Sequence, residues 1–180
     1  MDQPVELVPL LCLKCSTPIP ASADESAWVC AQCGQGMLLD PKIGLVPLDV
    51  HYAAGILPNT PGKPYWVADG QVTLSRESYG SGGKEGREAE LFWSQPRRFF
   101  LPAFAASLEA LLSQAIQMLL QPPPLQNGPA ARFESVTASV EDVQPAAEFI
   151  VMAIEAGRKD KAKKIDFALK LSHPELWILP

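Results

Sequence analysis

Four cysteines, and no others, stand in two pairs: Cys12-Leu-Lys-Cys15 and Cys30-Ala-Gln-Cys33, with fourteen residues between the pairs. No other feature of the chain limits its fold so tightly. A C-x2-C turn points two thiolates the same way, and two such turns brought face to face make a tetrahedral cage of four sulfurs. The gap lies one residue below the usual range of roughly 15 to 20 for such pairs, a small departure for a loop that only has to return the chain. Zn2+ suits the cage, because it binds thiolate strongly and has no electronic preference for another geometry. With all four positions filled by protein, none remains for a substrate water, so such a metal is structural rather than catalytic. Other chemistries of paired cysteines are open at this point. Rubredoxin-type iron takes the same ligands. A redox C-x-x-C of the thioredoxin type is a single motif at a helix start, and two disulfides require an oxidising compartment.

The neighbouring residues agree with the cage. Gly34 and Gly36 follow the second pair, where a tight turn calls for positive φ and close backbone approach. Trp28 stands two residues before Cys30, placed to cover one side of a small site. Gly36-Met-Leu-Leu, a turn at residues 40–44 and Leu45-Val46 read as a hairpin. Through CLKC, WVCAQCGQGM and that hairpin, residues 8 to 48 resemble the zinc-ribbon family. The first pair departs from the usual pattern, with Ser16 where a glycine often follows the second cysteine.

Composition bears on compartment and partner. The chain has 180 residues, 47% of them hydrophobic and 19% charged, which excludes disorder driven by high charge and low hydrophobicity. The first six residues carry two acids and no base, unlike the n-region of a secretory signal. The apolar segment at 104–120 is interrupted by polar residues and is shorter than the roughly 20 residues a membrane span needs. These features predict a soluble cytoplasmic protein. The net charge is −5, and the first sixty residues hold two bases against six acids. Nucleic-acid affinity comes chiefly from Lys and Arg neutralising phosphates, so an acidic ribbon argues against a nucleic-acid partner and for a protein partner.

After the ribbon and its extension (residues 1–57), the Pro- and Gly-rich stretch at 58–64 opens a second region, 58–180. Asp69-Gly70 between two β-rich runs predicts a hairpin. Gly80–Gly86 reads as a flexible loop, with Glu85 where a phosphate loop needs Ser or Thr after its lysine. Ala89 to Ser94 reads as a strand, and a helix is expected at 103–120 with Phe104, Leu108, Leu111, Ala115 and Met118 as its buried stripe. Residues 133–140 alternate like a strand. A helix is expected from Asp142 to Ala156, closed by a left-handed Gly157. Strands are expected at 164–171, with Ile165, Phe167, Leu169 and Leu171 on one face, and at 176–179. The expectation is therefore α+β: a zinc ribbon, then a small, mainly antiparallel sheet packed with two helices.

Outside the cysteines the candidates are few. Arg97, Arg98 and the run Arg158, Lys159, Lys161, Lys163 and Lys164 could dock a partner, although part of that run also suits a helix C-terminus. His51 and His173 are the only imidazoles, and no nucleophile–base pair can be nominated by spacing. The sequence therefore points to a non-catalytic zinc-binding adaptor or subunit. A nucleic-acid-associated zinc-ribbon factor is the alternative.

Overall fold

The computed structural model describes residues 10–78, 83–159 and 162–180. Its strands form two sheets. The smaller, at the N-terminus, orders β1 (Ala27–Val29), β2 (Gly36–Asp40) and β3 (Gly44–Leu48) as an antiparallel meander. The hairpin between β2 and β3 forms where the sequence places it. Asp40 Oδ1 accepts from the amides of Lys42 and Ile43 at 2.8 and 3.0 Å, and Gly44 takes φ 84°. A glycine is also required at Gly36, where a Cβ would lie 2.3 Å from the carbonyl oxygen of Leu48.

The larger sheet is built on β5 (Lys63–Ser78), a single strand of 16 residues. Its first half pairs antiparallel with β6 (Arg97–Pro102) on one side and β8 (Glu175–Leu179) on the other; its second half pairs with β7 (Ala162–Leu171). The short β4 (Val50–Tyr52) adds to β8 in parallel, so residues that follow the ribbon directly are part of this sheet. Asp69-Gly70 is therefore not a hairpin turn. It is the point where β5 changes partners: Gly70 pairs with both Arg97 and Leu171. A Cβ there would meet the Phe99 ring at 2.6 Å and Leu171 at 2.8 Å, so close packing is what demands the glycine. Asp69 faces Arg98 across the ladder.

Three helices pack on this sheet, one more than expected. Residues Gly83–Trp93 form α1, which replaces both the strand expected at 89–94 and the loop reading of 83–86; residues 80–82 lie outside the described residues. Ala89 and Trp93 are buried and Phe92 half-buried while Leu91 is 74% exposed, so the period is that of a helix and not of a strand. The second helix, α2 (Leu108–Leu120), starts later than position 103 because Ser107 caps it, its Oγ accepting from the Ala110 amide at 3.3 Å. Phe104 is buried ahead of the helix, and Leu108 is 72% exposed instead of lying on the buried stripe. The buried positions are Ala115 and Leu119. The third, α3 (Val143–Ala156), follows a single 3-10 turn over Val140–Asp142. It ends at Gly157 with φ −78°, a right-handed end and not the left-handed one expected.

Residues 133–138 form no ladder. They make isolated bridges only, Phe133 to Gly62 and Val136 to Ala27, and lie between the ribbon and the larger sheet. Strand β7 keeps the expected facing, with Leu169 buried, Ile165, Phe167 and Leu171 half-buried, and Lys164, Asp166 and Lys170 exposed. Both faces of the central strands are covered. Trp66, Phe99, Leu101, Leu176 and Ile178 join the main core, while Tyr65, Val67, Phe100, Trp177 and Leu179 form a second one. Ala27 and Leu38 of the ribbon belong to the main core, and Val136 of the connecting segment is buried with them. The whole is α+β and mostly antiparallel. Among the described residues no helix is long and apolar enough to cross a membrane.

Candidate metal centre

The two cysteine turns repeat one backbone pattern. In the first, the Ser16 amide donates to the Cys12 carbonyl and the Cys12 amide to the Thr17 carbonyl, both at 2.9 Å. In the second, Gly34 donates to the Cys30 carbonyl at 2.8 Å and Cys30 to the Gln35 carbonyl at 2.9 Å. Each turn needs a left-handed residue after its second cysteine. Gly34 supplies it at φ 74°, and Ser16 supplies it at φ 58°, the one non-glycine residue with positive φ among the described residues. The departure at Ser16 thus changes the residue and leaves the turn intact.

The turns bring all four Sγ atoms within 4.8 Å of one another. Cys12 and Cys33 stand 3.5 Å apart, and Cys15 and Cys30 3.6 Å. Metal–sulfur bonds of about 2.3 Å in a tetrahedron put sulfurs about 3.8 Å apart, so the donor set fits a four-coordinate thiophilic ion. Cys12 and Cys30 are buried, together with Trp28 and Met37, while Cys15 is exposed. Trp28 covers the site as its position suggested.

The thiols differ in their readiness to ionise. The hydrogen bond between Cys15 Sγ and Thr17 Oγ1, at 3.2 Å, and then that with the Thr17 backbone pull the Cys15 thiol down to about 6. At Cys12 burial works upward, but the amides of Cys15 and Lys14 and the Cys33 thiol outweigh it, and the net shift is downward. At Cys33 the Gln35 amide works downward, yet burial and the three neighbouring thiols push it up to about 12. Negative charge on some sulfurs opposes its arrival on the last. A cation at the centre removes that opposition and lets all four bind as thiolates.

Trp28 also belongs to a polar clasp that sequence reasoning missed. Glu25 Oε2 accepts from Trp28 Nε1 at 2.9 Å and from the Ser22 amide at 2.8 Å, while its Oε1 accepts from Ser135 Oγ of the connecting segment. Burial raises the Glu25 carboxyl, but these bonds, Ser135 foremost, outweigh it and hold the group below its ordinary value.

Of the basic residues singled out from sequence, Arg97 and Arg158 meet at the Phe92 ring, and Arg98 and Lys164 are each held by an acid. Arg97 donates to the Phe92 carbonyl from Nε and Nη2 at 3.0 and 2.7 Å, its guanidinium 4.0 Å from the Phe92 ring centre. Arg158 approaches the same ring at 5.9 Å and donates to Glu155 Oε1 at 2.8 Å. Arg98 grips both oxygens of Asp69 at 2.8 and 3.1 Å. Lys164 pairs with Asp166 at 2.6 Å. Lys159 and Lys163 are exposed, and Lys161 lies outside the described residues. Glu155, which no pattern marked, is wholly buried and receives Trp93 Nε1 at 2.8 Å, with Arg76 Nε 3.3 Å from its other oxygen.

The two histidines sit at one end of the larger sheet. His173 lines a polar cleft with Asp69, Arg98, Ser172 and Glu175, and His51 stacks on Trp177 with Nε2 4.0 Å from Glu175 Oε2. They do not complete a metal-ligating group; among the described residues only the four cysteines do. No family model, curated protein or solved structure matches the chain.

Proposed function

We propose that Cys12, Cys15, Cys30 and Cys33 hold one structural Zn2+, and that the chain is a non-catalytic cytoplasmic adaptor or subunit whose partner is another protein. One observation carries the zinc reading: four thiols from two matched turns converge at near-tetrahedral spacing, with Cys12 and Cys30 buried. Four protein donors leave no open position for substrate, so the ion holds the ribbon together and performs no hydrolysis. Metal analysis of protein expressed in zinc-supplemented medium should return about one zinc per chain, and Co2+ substitution should give the visible bands of a tetrahedral tetrathiolate. About one iron per chain with ferric-thiolate absorption overturns the zinc assignment.

The protein-partner reading is supported by the surface beside the first cysteine turn. Leu11, Leu13, Leu39 and Ile43 are exposed there around a concavity of about 820 Å3, and Ile43 reaches 73% exposure at the tip of the β2–β3 hairpin. Exposed apolar groups gathered in this way mark interaction sites more often than isolated ones do. Nucleic acid is disfavoured by the acidic ribbon and by the engagement of Arg97, Arg98, Arg158 and Lys164 within the fold. Co-purification from the native host should lose its protein partner on Ile43→Asp with zinc content unchanged. A partner retained by the variant overturns this docking face, and the absence of any co-purifying protein, or a low-salt gel shift with single- or double-stranded nucleic acid, overturns the protein-partner reading.

A further inference from the structure

The segment 133–138 has no ladder of its own, and what holds it comes from two sides. From the larger domain, the amides of Thr137 and Ala138 donate to the Ala103 carbonyl at 2.7 and 3.3 Å, Glu134 donates to Gly62, and Trp66 Nε1 donates to the Ala138 carbonyl at 2.9 Å. From the ribbon, the Ser26 amide donates to the Val136 carbonyl at 2.8 Å, and Ser26 Oγ lies 3.3 and 3.1 Å from the carbonyls of Val136 and Ala138. Glu25 adds its bond to Ser135. Ser26 and Glu25 immediately precede β1, and β1 leads to Cys30. The ribbon sheet is thus clamped between the cysteine cage on one face, through Trp28 and Met37, and Val136 with the main core on the other, through Ala27 and Leu38.

Beyond the segment lies an apolar cavity of about 410 Å3 between α2 and α3, walled by Leu101, Leu111, Ala115, Ala138, Ala146 and Ile150, among others. Ala138 is therefore both a wall of this cavity and an anchor of the ribbon. We propose that residues 133–138 are a metal-responsive strap: the ion at the cysteines fixes β1, β1 fixes the strap, and the strap fixes the wall of the cavity. This rests on the metal reading above. A ribbon of about 40 residues cannot bury a self-sufficient core, so its order depends on the ion. When the ion leaves, the strap keeps only the bonds from Ala103, Gly62 and Trp66, and its local opening becomes cheaper.

Amide hydrogen exchange by NMR tests this on the full chain, zinc-loaded and after chelation, with amides of β7 paired to β5 as the reference. The expected result is faster exchange at Cys30 and Gly34 and, with them, an acceleration at Thr137 and Ala138 at least about tenfold greater than any change at the reference amides. Loss of protection at Cys30 and Gly34 with Thr137 and Ala138 unchanged overturns the strap and leaves the metal reading standing. A chain that binds no zinc, or whose Cys30 and Gly34 amides ignore chelation, overturns both. Should chelation also expose the reference amides, the zinc-loaded double variant Glu25→Ala/Ser26→Ala decides. With its metal retained, faster exchange at Thr137 and Ala138 supports the strap, and unchanged exchange overturns it.

Discussion

At the scale of single residues, Ser16 shows how a departure from pattern can be absorbed. Its left-handed backbone is the geometry the cysteine turn requires, shown by the matching hydrogen bonds around Gly34. A residue with a Cβ pays a steric cost for that conformation, of about 1–2 kcal/mol. Glycine escapes it but loses more chain entropy on ordering, at roughly 0.5–1 kcal/mol. The first effect outweighs the second, and Ser16 is exposed, so no packing is lost. Ser16→Gly is therefore expected to stabilise the loaded ribbon by about 0.5–1 kcal/mol, read as tighter zinc binding in competition with a chromophoric chelator. Weaker binding by the variant would mean that the serine hydroxyl contributes something the backbone pattern does not reveal.

At the scale of elements, Glu25 is the point where ribbon and body meet through a charge. Its carboxyl is held below the ordinary value by donors from Ser135, Ser22 and Trp28. A carboxyl depressed in the folded state contributes stability that is present above the unfolded value of about 4.3 and is lost as pH falls through the lower folded value. Glu25→Gln keeps the shape but removes the charge. The wild type should be more stable than the variant by about 1–2 kcal/mol at pH 7, and the difference should shrink toward zero as pH drops below about 4. Urea unfolding at both pH values checks this, and an undiminished gap at low pH would refute the carboxylate's role. Glu25 was invisible in the sequence, because its partner Ser135 lies 110 positions away. Elements set by local chemistry were legible: the β2–β3 hairpin with its Asp and Gly, α3 in its extent though not in its cap, β7 with strict alternation, and the cysteine cage itself. Elements set by distant contacts were not. Asp69-Gly70 reads as a turn locally, and only the packing of Phe99 and Leu171 on Gly70 explains its place in mid-strand. Ala89, Phe92 and Trp93 carry a helical spacing, and it is their packing on the larger sheet, with Leu91 left in solvent, that makes 89–93 helix and not strand.

At the scale of the whole molecule, stability is divided unequally between the two sheets. The larger sheet has two apolar cores and a buried carboxylate, Glu155, that joins α1, β5 and α3 through Trp93 and Arg76. The ribbon's own cluster is small, four buried residues of which two are the cysteines Cys12 and Cys30. Structural zinc contributes on the order of 10–16 kcal/mol in finger peptides, more than such a cluster can replace. Cys33→Ala should therefore unfold the ribbon while β5 to β8 and the helices persist. The loss reaches beyond the ribbon, because Ala27 and Leu38 leave the main core with it. Exposing one large apolar side chain costs about 1.5–3 kcal/mol, so the remaining body should unfold at lower urea than in the loaded wild type. Proton NMR of Cys33→Ala should show collapsed dispersion for residues 10–48 beside dispersed signals from β5 and β7. Preserved ribbon dispersion in that variant would mean that contacts with residues 133–138, and not the metal, hold the ribbon in place.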